Sequence, residues 1–333
     1  MKKIYYLFLS ILLIPSSVFA HVKWFVDTEE VITSSHGATP FYSWGSKEVL
    51  VWGGIILITV FIFSLIDKYA KSPKWLLSFG LNHERSINRV SQIVLGVFLV
   101  TVSFIWKIIL VPNIPVESTF TNILQIFQVL IGVMYIFNIK PRLASIFLLV
   151  FCFGILWKQG LVALLENALL ISLATYFLIV NSSDTSIFSR FKKHAVEIVR
   201  IGTGVSLITL AFTEKLIYPE LSLDFLAVHN WNFMEPLFPW FTDKLFVLST
   251  GFAEMIFGIL FIFGYITRVT TVLIAIFFAC SVVTMLTQFG KWEVEDLQVY
   301  SAAILFIFYG HGKTKFFHFM WPNSKLQKSI LKM

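Results

Sequence analysis

Apolar stretches of about 18 or more residues follow one another along most of this chain, each long enough to cross a hydrocarbon core of about 30 Å. In such a core every backbone amide must find its partner within the protein, which leaves helices or a closed barrel. The runs are continuous rather than alternating, so they read as helices. Composition agrees: 57% of the 333 residues are hydrophobic, 36 are Phe and 14% are charged. That is too little charge to cover a soluble domain of this length. The two cysteines, Cys152 and Cys280, both fall inside predicted spans. This excludes a disulfide-rich exported domain and a cysteine-based zinc site. With no Gly-rich phosphate loop, dinucleotide fingerprint or nucleophile elbow, ATP-driven and hydrolase functions have no support.

The chain starts like an exported protein. Lys2 and Lys3 precede an apolar run from Ile4 to Ile14, Pro15, Ser16 and Ser17 break it, and Val18 and Ala20 stand where a signal peptidase reads. Residues 1–20 are therefore predicted to be a signal peptide, the competing reading being an uncleaved first anchor. Cleavage leaves His21 as the first residue of a periplasmic tail, 21–48. The predicted spans are 49–66, 90–111, 122–138, 143–157, 161–180, 198–216, 245–264, 269–286 and 297–310, an all-α polytopic membrane protein of about nine helices.

An external N-terminus and an odd number of spans put the basic tail 311–333 in the cytoplasm. Charge tests this independently. Lys68, Lys71, Lys74, Arg85, Arg89, Lys140, Arg142, Arg190, Lys192, Lys193 and Arg268 all fall in predicted internal segments, and most acids fall outside. The net charge of +7 therefore reflects orientation in a bacterial inner membrane. Nucleic acid drops out as a partner, and membrane lipid is the expected surrounding.

The chain also repeats itself. Phe104 to Pro112 resembles Phe212 to Pro219, with Lys107 matching Lys215 and Gly96 matching Gly204. Gln128 to Arg142 aligns without a gap on Glu254 to Arg268, and Glu166, Asn167 and Ser172 align on Glu295, Asp296 and Ser301. Residues 88–180 and 196–310 thus read as two tandem four-helix bundles in parallel orientation. The copies differ in charge: Glu214, Glu254 and Asp296 stand where the first copy has Trp106, Gln128 and Asn167. A charge near the bilayer centre costs about 2.5–3.5 kcal/mol on insertion scales, so such residues usually mark function. The second copy is the expected site and the first is largely structural.

The second copy resembles the DoxX family. The residues that carry the likeness are Arg200 with Gly202 and Gly204, then Glu214, Lys215 and Leu216, then Glu254 with Gly258, and Gly264 to Arg268 at the following turn. The first copy lacks the Arg, the Glu and the turn Gly, and the tail and first helix fall outside the likeness. The resemblance implies a four-helix bundle. It also implies a subunit of a quinone-linked oxidoreductase with a partner redox subunit, because the better understood members of that family are such subunits.

The candidate site is the polar cluster of the second copy. Lys215 and Glu254 are placed to pair across the bundle, with Glu214 and Asp296 as further acids. Arg200, Arg268 and Glu295 are candidate groups for a quinone, whose carbonyl oxygens accept from Lys or Arg while a buried carboxyl delivers a proton. The competing reading is an ion pair that specifies helix packing. A second candidate is copper at His21, which offers an α-amine and an imidazole, with His36 and His229 as further ligands. Against it, the position after a signal cut is permissive. The aromatic loop 217–244 reads either as a lid over the site or as an interfacial belt. Two functional hypotheses follow: a quinone-linked redox subunit, or a non-enzymatic protein that binds copper or lipid or assists assembly of a partner complex.

Overall fold

The computed structural model describes residues 46–69, 73–183, 185–217, 219–229, 231–289 and 296–312. Its helices are α1 (Lys47–Tyr69), α2 (Lys74–Asn82), α3 (Glu84–Thr101), α4 (Thr119–Phe137), α5 (Pro141–Gln159), α6 (Leu161–Glu166) and α7 (Ala168–Val180). They continue as α8 (Ala195–Ala211), α9 (Glu220–His229), α10 (Asp243–Phe263), α11 (Thr267–Phe289) and α12 (Leu297–Tyr309). Among the described residues five stretches are long and apolar enough to cross a membrane: Lys47–Tyr69, Glu84–Trp106, Thr119–Phe137, Ile187–Leu216 and Asp243–Phe263. Shorter apolar helices lie within α5, α7, α11 and α12. The helical class is as expected and is compatible with a multi-pass membrane protein. In α1 only Ile56 is buried, while Leu50, Leu57, Ile58 and Phe61 project outward. A helix apolar on nearly all faces is stable only in apolar surroundings.

One predicted span ends early. The apolar run 90–111 leaves the helix after a π-turn at Val102–Trp106, and Lys107 takes a left-handed conformation. A short antiparallel pair follows, β1 (Ile108–Ile109) with β2 (Val111–Pro115). Pro112 and Pro115 lack the amide hydrogens that a continuing helix requires. Ile108, Ile109 and Leu110 are still buried, which is why their apolarity reads as membrane span. The predicted span 161–180 is likewise divided, α6 giving way to α7 at Asn167.

The geometry of the chain repeats at the matched positions. Asn138 and Lys140 after α4 are left-handed, and so are Gly264 and Ile266 after α10. Asn is the residue that substitutes for Gly at this cap, so the missing turn Gly of the first copy changes nothing in the backbone. A Cβ on Gly96 would lie 2.7 Å from the Gly132 carbonyl oxygen, and one on Gly204 would lie 2.5 Å from that of Gly258. Both pairs let two helices cross with backbones nearly touching. The missing Arg is also replaced. Arg89 donates to the Tyr135 and Ile136 carbonyls, with Gln92 also on Tyr135, as Arg200 does to Phe261 and Ile262.

The two halves are not separate bundles. α3 packs on α4, α4 on α5, α5 on α7, α7 on α8, α8 on α10, α10 on α11, α11 on α12, and α12 back on α3. The first helix of each half thus lies against the last helix of the other, around one continuous core. Small residues make these contacts close. Ser91 Oγ donates to the Ser301 carbonyl at 2.7 Å and Ser301 Oγ to the Ser91 carbonyl at 2.9 Å. A Cβ on Gly202 would collide with Ser172. α1 sits outside this ring, stacking Trp52 on Phe252 of α10. Its Asp67 accepts from the Ile266 amide.

Candidate functional site

α8 ends in a π-turn, Phe212–Leu216, closed by the Ile217 amide on the Phe212 carbonyl. The wider turn carries Glu214 and Lys215, and both are buried. Such insertions concentrate at functional sites, and nothing in the local sequence announces this one. Lys215 Nζ lies 2.8 Å from Glu254 Oε1 and 3.9 Å from Glu214 Oε2. Glu254 is 3% exposed and Lys215 is 1% exposed. The expected pairing of Lys215 with Glu254 is therefore present, with Glu214 as a third member. Opening such a pair by removing one partner costs about 3–5 kcal/mol, because the other charge is left buried.

The matched place in the first half is built differently. Gln128 is fully buried, its Nε2 donating to the Leu99 carbonyl and its Oε1 accepting from the Leu110 amide. Lys107, the sequence counterpart of Lys215, is exposed. It follows the π-turn instead of lying within it. The first half therefore closes with neutral groups and backbone where the second uses charge.

Asp296 is buried at the start of α12. Arg200 and Arg268 are not brought to the Lys215 cluster. Arg200 lies near the other end of α8, about 20 Å along the helix from Lys215. It donates to the carbonyls that end α10, and Arg268 donates to those of Ile307 and Phe308 at the end of α12. Both serve as caps for helix C-termini, where a cation also meets the negative end of the dipole. Glu295, His21 and His36 lie outside the described residues, as does the side chain of His229. Among the described residues no cluster of three metal-binding side chains occurs. Cys152 is buried and unbonded, and the side chain of Cys280 lies outside the described residues.

The aromatic loop before α10 folds over the Lys215 end. Phe225 and Trp231 pack edge to face and join Phe246 and Val247 in a small core of their own. Ser222 Oγ donates to the Glu214 carbonyl at 2.8 Å, and Asn232 Nδ2 donates to Asp243 Oδ1 at 2.9 Å. Leu237 and Trp240 remain exposed. One side of this segment is thus tied to the end of α8 that carries Glu214, and the other leaves Leu237 and Trp240 as apolar surface.

No known protein-family model, curated protein or solved structure matches this chain. The chemistry of the site must therefore be read from its own residues. A further tie crosses between the halves here. Glu166, at the end of α6, accepts from Thr213 Oγ1 at 2.6 Å through its carboxylate and from Ser206 Oγ through its carbonyl. The first half thereby holds the helix end that carries Glu214 and Lys215. Glu166 stood out in the sequence only as a repeat marker, because its partners belong to the other half.

Proposed function

We propose that this chain is a bacterial inner-membrane protein of nine spans, with an external N-terminus and a cytoplasmic C-terminus. In this reading two parallel four-helix repeats make up its membrane domain, and the second carries a proton-handling site at Lys215 and Glu254. The site serves quinone-linked redox chemistry, with the chain as a DoxX-like accessory subunit whose partner exchanges electrons with the quinone. The observation that carries this reading is the 2.8 Å contact between Lys215 Nζ and Glu254 Oε1 in a fully buried setting. A buried ammonium can donate to a quinone carbonyl oxygen, and a neighbouring carboxyl can give or take the accompanying proton. With Glu214 alongside, the cluster can exchange a proton while one ion pair persists. Packing alone is met in the first half by neutral Gln128, which supports a chemical reason for the charge.

The test is quinone content. The protein, exchanged from its native membrane into lipid nanodiscs, should retain quinone detectable by extraction and chromatography. Glu254→Gln should lose it at equal folded fraction. Quinone absent from the wild type, or equal in the folded variant, would sink the reading.

A further inference from the structure

The two halves differ in what lies on their outside. α1 packs against α10 of the second half, and among the described residues no helix lies in that way on α4, the matching helix of the first half. Two contacts hold α1 in place. Along its length Trp52 and Ile56 join Phe252, Ile256 and Ile259 in one apolar cluster, with the Trp52 and Phe252 rings stacked at 5.8 Å. At its C-terminal end Asp67 Oδ1 accepts from the Ile266 amide at 3.0 Å, in the left-handed turn after α10. The two anchor points are about 20 Å apart at the helical rise.

The first half repeats this footprint and leaves it open. The gapless match of α4 to α10 places Ile126, Leu130 and Val133 where α10 has Phe252, Ile256 and Ile259. Phe252 is 5% exposed beside α1, whereas Ile126 is 68% and Leu130 50% exposed. Lys140 takes the place of Ile266 and shares its left-handed backbone, φ 43 against φ 38. The Lys140 amide donates to nothing among the described residues, and the side chain is exposed. At its outer end the face turns polar, with Thr119 and Asn122 standing where α10 has Leu245 and Leu248.

A bare apolar helix face is ordinary in a bilayer, because lipid tails are as apolar as the side chains. The turn below it is what sets this face apart. The donor that Asp67 satisfies in the second half is open in the first, and a cation stands beside it. Ile266 calls for no counter-charge, whereas Lys140 attracts a carboxylate on a helix that docks there.

We propose that the exposed face of α4 is the docking site for a single apolar membrane helix of another subunit. That helix lies on α4 as α1 lies on α10, and a carboxylate at its C-terminal end meets the amide and ammonium of Lys140. α1 of a second copy does not fit this description, because its Asp67 is already bonded to its own Ile266. Packing and a polar contact between helices are the forces that join helices within lipid. The proposal rests on the functional reading for its membrane setting and its partner subunit, but not for any role of Lys215 and Glu254.

The test uses a labelled synthetic peptide of residues 47–69, which has the required length, apolarity and carboxylate. The full chain carries Ile126→p-benzoylphenylalanine and is mixed with the peptide in lipid vesicles and illuminated. The same group at Val150, 65% exposed on α5, is the control. Both positions are exposed, so neither substitution disturbs the core. Capture of peptide should be at least about tenfold greater at position 126 than at position 150. Asp67→Ala in the peptide should lower it about tenfold, as the loss of a hydrogen bond to a charged group predicts. Lys140→Glu in the chain should lower capture of the unaltered peptide as well. Equal capture at the two positions, or capture indifferent to Asp67→Ala, would overturn the proposal and leave the face to lipid. A crosslink from position 126 to the same chain or to a second copy would overturn it too. Quinone does not enter this readout, so its absence would bear on the functional reading alone.

Discussion

Gln128 and Glu254 hold the same place on α4 and α10 but bond to different things. The amide of Gln128 is held by the backbone of Leu99 and Leu110, while Glu254 meets the ammonium of Lys215 at 2.8 Å. The scaffold therefore does not need a charge at this position.

Glu254→Gln should fold and be destabilised, by about 3–5 kcal/mol at most, because Lys215 is left without its closest carboxylate. Lys215→Met should behave alike. The double variant should recover much of the loss, since removing both charges ends the burden of burying either. Thermal melting of the four proteins in one detergent gives the cycle. Additive losses would mean that the two residues do not act as a pair. Retained quinone binding per folded molecule in Glu254→Gln would identify the pair as a packing element only.

Gly204→Ala and Gly258→Ala should each lower the melting temperature strongly. Their new Cβ atoms would meet the opposing carbonyl at 2.5 and 2.8 Å. Backbone cannot yield as a side-chain tip can, so the helices must separate, at about 1–3 kcal/mol. Gly53→Ala, with nothing within 4 Å of its Cβ, should leave stability unchanged. Equal effects at all three positions would refute close packing of α8 on α10.

Gly264→Ala should cost more than Gly→Ala in an ordinary loop. The position has φ +76, and a Cβ there would lie 2.6 Å from Arg200 Nη1. The left-handed conformation alone costs about 1–2 kcal/mol for a residue with a Cβ. Asn138→Gly, at the matching left-handed cap, should be tolerated. A melting temperature unchanged by Gly264→Ala would show that this turn has another geometry.

Reporter fusions after Asn181 and at the C-terminus should both report a cytoplasmic location, as the basic loops require. Intact-mass analysis should find the mature chain beginning at His21. If it does, His21→Ala should lower any bound copper. A periplasmic signal at either fusion would refute the orientation, and wild-type protein without copper would remove the metal reading.

Length and periodicity carried the helical class, the repeat and the choice of Glu254 and Lys215, because these depend on local composition and on matching two stretches of one chain. Charge asymmetry between the copies was legible for the same reason. Local pattern did not separate buried from spanning apolar residues, so Ile108 to Leu110 read as membrane helix when they form the first strand and turn of a short hairpin and are buried there. The roles of Arg200 and Arg268 were also out of reach, since each caps a helix distant in sequence. Only the folded chain shows that the halves exchange neighbours, with α3 against α12 and α7 against α8. The linear order of a tandem repeat is the same whether each unit closes on itself or on its partner. What decides between them is the fit of side chains across the seam, where Ser91 meets Ser301 and Gly202 makes room for Ser172.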